Sequence, residues 1–463
     1  MSGLQAFMAG VEYHQAVGKV DQVTLQALKA KHEALLSAEG LATPLEDPGA
    51  IYHASQTETR RDKDTGESTF LRAHGTVENL SRLVGAYNVR VRYNELSREI
   101  EVSVGGQLLD GELARNTNLA LIEDLCRINS YPHTQAAGNL YALAERDKYN
   151  PALDWIRSKP WDGTTRIDQL FDCLTLASTD PAKVALSWNL FRKWMLGATA
   201  ILSGYASKFE HVLVLVDPTG GIGKTRFFNT LCPTPYQADG VALNVNDKDS
   251  ILHVISKWLV ELGEIGATFS KSDTEALKAF LSRGFDEVRP PYARAANRYP
   301  RRTAFFGSVN NVRFLTDDTN NRRFWPIEVS AINYKHEIDM QQAWAEALNW
   351  IERGDTWHLS PQENVIIGKY NEGFRSMDRV EEMILGSYDI DALPSRYMSA
   401  SEVLTEVGIM HPKQSDTRKA SAVLRKLFAC KISKGYTVYH VPHARTSGCH
   451  MSAVRDRNHA SPL

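Results

Sequence analysis

The sequence predicts an α/β fold in which a mostly parallel sheet surrounds a phosphate-binding loop. From Glu210 onward, apolar runs such as HVLVLV, KWLVEL and TAFFGSV alternate with helical segments, which is typical of strands covered on both faces. The glycine-rich segment DPTGGIGKT separates the first apolar run from a helix, which is typical of a P-loop. The chain has 463 residues, and a single core stops growing at about 250–300 residues. We therefore expect several domains around one central sheet.

The first 150 residues are predicted to contain two segments ahead of that sheet. Residues 1–75 have a helical pattern near 18–37, followed by a polar, turn-rich stretch that we interpret as a linker. Residues 76–150 are predicted to form a small accessory α/β domain, because NVRVRYNELSREIEVSV contains two alternating runs joined by a turn, and this favours a β-hairpin. Helices are expected over residues 151–205.

The C-terminal part is predicted to be helical at 336–390 and winged-helix-like at 391–463, where two short helices precede a β-rich end. Charge is segregated here. The whole chain carries a formal charge of -2, but residues 411–463 contain ten basic and two acidic residues, a net +8 that leaves -10 for the rest. Such a tail either contacts a polyanion or is merely solvated, and composition leaves both open. Its candidate phosphate contacts are Lys413, Arg418, Lys419 and Arg425, with an exposed helical lid as the alternative.

Composition also limits where the protein works. No run approaches the roughly 18 uncharged apolar residues of a membrane span, and the N-terminus lacks the basic region of a signal peptide. We therefore expect a cytoplasmic protein with no membrane partner. The five cysteines are scattered without a CxxC pair, which favours reduced thiols over a disulfide framework or a zinc ribbon.

The P-loop segment predicts binding of ATP and Mg²⁺. Its glycines, Gly220, Gly221 and Gly223, let backbone N–H groups surround phosphates, Lys224 adds a positive charge, and the hydroxyl of Thr225 ligates the metal. The loop departs from the usual motif in one place, since Pro218 stands where glycine is expected. Asp217 also puts a negative charge near the expected phosphate position.

Further catalytic candidates follow the other apolar runs. Glu261 ends a buried run, where an acid is costly unless metal or hydrogen bonds satisfy it, so we predict that it holds Mg²⁺ or activates water. Glu264 is either an auxiliary acid or a solvated loop residue. Asn310 follows TAFFGSV and either orients the attacking water or is a turn residue. Arg322 and Arg323 are either an arginine finger for a neighbouring subunit or surface ion-pair residues.

Residues 289–302 carry five arginines, two tyrosines and no acid. Arginine contacts phosphates and tyrosine stacks on bases, a combination that suits sequence-tolerant binding of single-stranded DNA. The DNA-binding candidates are Arg289, Tyr292, Arg294 and Arg298. The alternative is that about half of these arginines serve the ATP site or a subunit interface.

Taken in order, WDGTTRIDQL, GGIGKT, WLVELGEI, EALKAFLSRGFDEVRPPYAR, YPRRTAFFGSVNN and FLTDDTNNRRFWPIEV resemble the virulence-associated protein E family. That family is a branch of AAA+ ATPases related to the superfamily 3 helicases of phages and mobile elements. The resemblance runs from about Asn150 to Leu359. It implies a helical collar at 151–205, an AAA+/P-loop parallel-sheet ATPase core at 206–335, and a pore hairpin at the arginine-rich stretch.

The resemblance also implies roles for single residues. Lys224 and Thr225 match the Walker A pair, Glu261 matches the Walker B acid, and Asn310 matches the sensor. Arg322 and Arg323 match the finger pair. The sequence departs from the family at Pro218, at Leu262, where many relatives place a second acid, and at Asn320, where glycine is usual.

For the whole protein the resemblance implies a hexameric ring that translocates on single-stranded DNA, 3′ to 5′, during replication of a phage or mobile element in a bacterial host. Origin duplex DNA is a further possible partner. The alternative is a DNA-binding regulator that uses ATP only as an assembly switch, which Pro218 and Leu262 favour. A P-loop metabolite kinase fits poorly, because the chain has no obvious acceptor lid.

Overall fold

A computed structural model of the chain describes residues 44–109, 114–241, 243–245, 247–263, 271–288, 297–315, 321–433 and 435–445. Several sequence predictions lie outside these residues. They are the helix near 18–37, Glu264, Arg289, Tyr292 and Arg294.

Two compact units divide the chain, and each is described by itself. The first comprises Met1–Glu264, Ala276–Ser308 and Arg323–Ser360. The second comprises Ile265–Glu275, Val309–Arg322 and Pro361–Leu463.

The first unit begins with a small α/β region whose elements, in chain order, are α1 (Pro48–Ile51), β1 (Thr57–Arg61), β2 (Ser68–Ala73), α2 (Val77–Ala86), β3 (Val89–Asn94), β4 (Glu99–Val104), β5 (Gln107–Leu108), α3 (Ala114–Ile128), α4 (Ala136–Ala144) and β6 (Lys148–Tyr149). The predicted hairpin is confirmed, because β3 and β4 pair antiparallel within a sheet of order β5-β4-β3-β6. The predicted linker is wrong. Strands β1 and β2 pair there, and Tyr52 and Ala73 at its two ends are buried in the core of this region.

The rest of the first unit is built around a larger sheet. Its elements, together with a helix and a hairpin between strands of that sheet, are α5 (Pro151–Arg157), α6 (Ile167–Asp172), β7 (Leu174–Leu176), α7 (Pro181–Ser203), β8 (Val212–Val216), α8 (Lys224–Thr230), β9 (Gln237–Val241), α9 (Lys248–Ile255), β10 (Leu259–Leu262), α10 (Lys271–Leu281), β11 (Phe285–Val288), β12 (Asn297–Pro300), β13 (Ala304–Val309), β14 (Phe324–Ile332) and α11 (Met340–Glu352).

The six-stranded sheet has the order β7-β14-β8-β13-β10-β9. Strand β14 runs parallel to β8, and β10 runs parallel to both β13 and β9, whereas β7 is antiparallel to β14. All five residues of β8 and all four of β10 are buried, as the continuous apolar runs predicted. The mixed α/β fold with a parallel sheet is thus confirmed.

Aromatic side chains fill the space between this sheet and helices α7 and α11. Trp194 lies 6.3 Å, centroid to centroid, from both Trp344 and Phe306, and Trp258 lies 4.5 Å from Trp344. Phe228 stacks on Phe306 at 3.9 Å. Each of the three indole N–H groups donates to a buried backbone carbonyl at 2.6–2.9 Å, so the polar atoms of these large apolar side chains are satisfied.

A buried carboxylate joins α11 to α6. Glu346 is fully buried, and its Oε2 accepts hydrogen bonds from the backbone N–H groups of Arg166 at 2.6 Å and Ile167 at 3.0 Å. Its Oε1 has no hydrogen-bond partner among the described residues. Burial raises the pKa of Glu346, and the two N–H bonds offset only part of that effect.

Strands β11 and β12 form an antiparallel hairpin around residues 289–296. Its foot is fixed by Arg301, which donates to Asp286 at 2.5 and 3.1 Å and to the carbonyl of Phe280 at 2.9 Å. Both partners of this ion pair are almost fully buried, so Arg301 anchors the hairpin to the domain core.

The second unit contains α12 (Pro361–Glu372), α13 (Arg379–Ser387), β15 (Arg396–Ser399), α14 (Ala400–Glu406), α15 (Gln414–Leu427), β16 (Cys430–Ser433) and β17 (Tyr436–Val441). The three strands form an antiparallel sheet of order β15-β17-β16. Helices α13, α14 and α15 pack on it around a core that includes Ile384, Leu404, Leu424 and Tyr439. Nowhere in the described parts of the chain is a helix both long and apolar enough to span a membrane.

Candidate active site

The glycine-rich loop joins buried strand β8 to helix α8, as the motif predicted. Gly220, Gly221 and Gly223 have φ angles of 74°, 78° and 92°, a region that side chains with a Cβ rarely adopt. Lys224 begins α8 and is only 7% exposed. The loop therefore has the backbone that a phosphate-binding turn needs.

Tyr334 covers one side of this loop. A Cβ atom at Gly223 would meet its ring at 2.4 Å, so glycine is required at position 223 for space as well as for its φ angle. Arg226 donates to the Tyr334 hydroxyl at 3.1 Å. Tyr334 could not be predicted from the sequence, because a single tyrosine more than a hundred residues beyond the motif has no distinguishing pattern.

Asp217 holds the loop in its present shape. Its Oδ1 accepts from the N–H and hydroxyl of Thr219 at 2.9 and 2.6 Å, and its Oδ2 accepts from the N–H of Gly220 at 2.9 Å and from Lys224 Nζ at 3.3 Å. Burial alone raises the pKa of this carboxyl, but the Thr219 hydrogen bonds and the Lys224 charge outweigh it and hold the pKa below its usual value. The Asp217 carboxylate thus accepts hydrogen bonds from the Gly220 N–H and Lys224 Nζ, groups that bind phosphate in a P-loop.

Three side chains meet at the sheet edge beside the loop. Glu261 is 3% exposed, and its Oε1 accepts from the hydroxyls of Thr225 at 2.9 Å and Ser308 at 2.6 Å. Its Oε2 accepts from the N–H of Gly240 at 3.2 Å. The predicted pairing of Thr225 with Glu261 is therefore present, and a carboxylate beside a P-loop hydroxyl is a donor set that suits Mg²⁺. Ser308, near the end of β13, completes the group.

Asn310 follows the end of β13 in the chain and is exposed. Its role in orienting water stays a prediction. Glu264 lies outside the described residues, and Glu261 is the acid that accepts from the Thr225 hydroxyl.

Arg323 lies at the other edge of the sheet. Strands β14 and β8 pair so that Phe324 lies opposite Val212, which places Arg323 near the amino end of β8. Its polar partners among the described residues are Glu210 at 3.1 Å and Ser282 at 3.0 Å. The five residues of β8, at about 3.3 Å each, put roughly 16 Å between this edge and the P-loop. Arg323 therefore cannot reach phosphates bound by its own chain.

The ion pair with Arg323 also favours the charged form of Glu210. Burial raises the pKa of Glu210, but the Ser282 hydrogen bond and the Arg323 charge outweigh it and hold the pKa below its usual value. Arg322 is exposed, unlike Arg323.

Two arginines of the arginine-rich stretch lie in different surroundings, one exposed and one buried. Arg298 is exposed on β12, and its guanidinium lies 3.2 Å from the centroid of the Phe285 ring. Arg301 is instead buried with Asp286. Arg301 thus serves the domain core, not the ATP site or a subunit interface, and DNA contact by Arg298 stays a prediction.

The basic candidates of the second unit lie on the surface. Lys413, Arg418, Lys419 and Arg425 are exposed on or next to α15. Lys419 pairs with Asp378 at 2.6 Å. Exposure permits phosphate contact but does not test it. Among the cysteines, Cys126, Cys173, Cys232 and Cys430 are free thiols, as the sequence predicted.

Comparisons with known proteins add the following. No curated protein matches the chain. The apo structure of the NrS-1 C-terminal region (305–718) superposes with a TM-score of 0.40 at 11% identity, covering 79% of this chain and 98% of that chain. An A-form apo structure of the same region gives 0.40 at 12% identity, covering 78% and 98%. A model of the virulence-associated protein E-like domain matches residues 156–376. This match confirms the resemblance to the virulence-associated protein E family found in the sequence.

Proposed function

We propose that this protein is a Mg²⁺-dependent ATPase that moves single-stranded DNA, acting as a helicase or translocase in replication of a phage or mobile element. The observation that carries the proposal is the group of Thr225, Glu261 and Ser308 beside a glycine loop with positive φ angles. It combines a phosphate cradle, a metal-ligand pair and a buried acid at one place.

Each residue has a task in hydrolysis. Lys224 leaves Asp217 and neutralises charge on the β- and γ-phosphates. Thr225 and Glu261 hold Mg²⁺, which when bound offsets the charge that develops on the phosphate oxygens. Ser308 fixes the Glu261 carboxylate, which accepts a proton from the attacking water as the oxygen of that water bonds to the γ-phosphorus. The bond from the γ-phosphorus to the β–γ bridging oxygen breaks, leaving ADP and inorganic phosphate.

Arg323 supports an assembly in which subunits share sites. Because it lies at the edge opposite its own P-loop, any phosphate that it serves would belong to a neighbouring chain, as for an arginine finger in trans. A hexameric ring with ATP between subunits is the arrangement that the family resemblance implies.

Two features support a nucleic-acid partner. The β11–β12 hairpin carries the exposed Arg298 and has a buried foot at Arg301. The order α13, β15, α14, α15, β16, β17 in the second unit supports a winged-helix-like fold, in which the last helix, α15, would present the exposed Arg418 and Arg425 to phosphates.

ATP turnover measured with and without oligo(dT) tests the proposal. We expect turnover that depends on Mg²⁺ and rises when oligo(dT) is added. Lys224→Ala should abolish it, whereas Lys183→Ala, which removes an exposed lysine from the start of α7, should leave it unchanged. Turnover that ignores DNA would refute the motor, and turnover retained by Lys224→Ala would refute the P-loop assignment.

A DNA-binding regulator switched by ATP is the second candidate, and the pairing of Asp217 with Lys224 favours it. An internal carboxylate that competes with phosphate slows or weakens nucleotide binding, which suits a switch more than a motor. In that case nucleotide changes DNA affinity or assembly, but DNA leaves turnover unchanged.

A further inference from the structure

A groove lies between the N-terminal α/β region and the foot of the β11–β12 hairpin. Its cavity is about 680 Å³, within the range of small-ligand sites. Strand β3, the following turn and helix α4 form one wall, and β12 forms the other. The side chains that matter are three arginines and three tyrosines: Arg98, Arg298, Arg302, Tyr93, Tyr141 and Tyr299. The virulence-associated protein E-like match begins only at residue 156, so it covers just one wall.

Arg98 lies at the floor of the groove and is 7% exposed. It donates to the carbonyls of Ile255 at 3.3 Å and Pro300 at 3.5 Å, and its guanidinium lies 4.6 Å from the centroid of the Tyr299 ring. Among the described residues no carboxylate lies within 4.0 Å of it. The nearby Asp286 is engaged by Arg301. Desolvation lowers the pKa of Arg98 to about 10, so the side chain is charged at neutral pH.

A buried cation without an anion is unfavourable. Arg98 is also held at a φ of 64°, which is uncommon for a residue with a side chain. Arg98 is thus a charged, desolvated guanidinium on an unfavourable backbone conformation, and it lines an open groove. An anion entering the groove would supply the missing partner.

The rest of the groove is basic as well. Four basic and two acidic side chains line it, a net positive lining on a chain whose total formal charge is -2. The acid Glu145 is paired with Lys148, so the excess positive charge belongs to the arginines. The guanidinium of the exposed Arg298 packs on the Phe285 ring, and Arg302 is half-buried.

Tyrosine rings lie between these charges. Tyr141 is 37% exposed on the α4 wall, and Tyr93 and Tyr299 are half-buried near Arg98. Alternating guanidinium groups and aromatic rings fit a chain of phosphates and unstacked bases. In a duplex the bases are stacked on one another inside the helix, so they could not stack on these tyrosine rings.

We propose that this groove is a second binding site for single-stranded DNA, in which Arg98 binds a backbone phosphate and Tyr141 stacks on a base. The proposal rests on the proposed function, and it gives the N-terminal region a task that the hairpin cannot perform alone. The DNA would lie between the N-terminal region and the hairpin foot, with α4 on one side and β12 on the other.

Binding of fluorescein-labelled oligo(dT) to the full-length chain, followed by anisotropy over a series of salt concentrations, tests it. Tyr141→Ala should bind about fivefold more weakly or worse, because one base–aromatic stack is lost. The matched variant Tyr141→Phe keeps the ring and should bind like wild type. Arg298→Gln should lower the salt slope by about 1. Arg127→Gln, on helix α3, does not change the groove lining, because Arg127 is outside it and pairs with Asp124, so the salt slope should stay unchanged.

Cross-linking locates the DNA directly. Oligonucleotides that carry 5-iododeoxyuridine should give adducts at Tyr141 or Tyr93 after irradiation, identified by mass spectrometry. Wild type that fails to bind oligo(dT) would overturn the proposed function and the groove together. Wild type that binds, with Tyr141→Ala equally tight or with adducts only outside the groove, would overturn the groove alone.

Discussion

Asp217→Asn perturbs the candidate active site by removing one charge with almost no change in volume. The carboxylate accepts four hydrogen bonds, two on each oxygen. Asparagine keeps one acceptor oxygen and so loses the two bonds from Gly220 and Lys224. At about 1–2 kcal/mol net for each bond at a buried site, the nucleotide-free variant should be less stable by about 2–4 kcal/mol.

The same change should tighten nucleotide binding. In wild type, Lys224 must leave Asp217 before it can contact phosphate, so that bond stabilises only the nucleotide-free state. Removing this bond destabilises the nucleotide-free state by about 1–2 kcal/mol and leaves the stability of the nucleotide-bound state unchanged. By linkage, this appears as an affinity about 5–30 times higher.

Titration with a fluorescent ADP analogue measures the affinity, and thermal melting followed by circular dichroism measures the stability. Asp162→Asn is the matched control, because Asp162 also accepts from a backbone N–H two residues on, at 2.9 Å, and pairs with a cation, Arg166. That variant should leave ADP affinity unchanged. A folded Asp217→Asn protein that binds ADP no tighter than wild type would refute the idea that Asp217 competes with phosphate.

Three more predictions follow from buried or paired charges. Glu261→Gln should still bind nucleotide but release phosphate at least about 100-fold more slowly, and near-normal turnover would exclude Glu261 as the base. Arg323→Ala chains mixed with wild type should depress turnover more than dilution does, with the exposed Arg322→Ala as comparison, and strictly proportional loss would remove Arg323 from a shared site. Folding raises the pKa of Glu346, so wild-type stability should fall as pH rises from about 4, where the unfolded carboxyl titrates, through the folded pKa. Glu346→Gln should melt higher than wild type at pH 8 and lack that fall, and an unchanged melting profile against pH would contradict the assignment.

The P-loop and its metal-side partner could be predicted because their signals are local. Gly223 and Lys224 lie in a short motif between a strand and a helix, and Glu261 is an acid in an otherwise apolar run, where only a polar partner makes burial tolerable. Each of these inferences needs only neighbouring residues. The structure accordingly brings Thr225 and Glu261 together as expected.

Contacts between distant segments could not be predicted in this way. The role of Tyr334 depends on its ring lying 2.4 Å from where a Cβ atom of Gly223 would be, and no spacing in the sequence encodes that approach. The linker prediction failed for a related reason. Polar residues around Asp62 suggested an irregular segment, but Thr57 and Ala73 pair across sixteen positions and close a hairpin onto the N-terminal core.

The placement of the indole rings has an optical consequence. All nine tryptophans lie between Trp155 and Trp357, within the first unit, and the second unit has none. Fluorescence excited in the indole band therefore reports the first unit, while far-ultraviolet dichroism records both units together. When the two signals are followed in the same denaturant titration, they can reveal whether the units unfold in one step or in two. Because every tryptophan lies in the first unit, the transition seen in indole emission belongs to that unit, and no added label is needed.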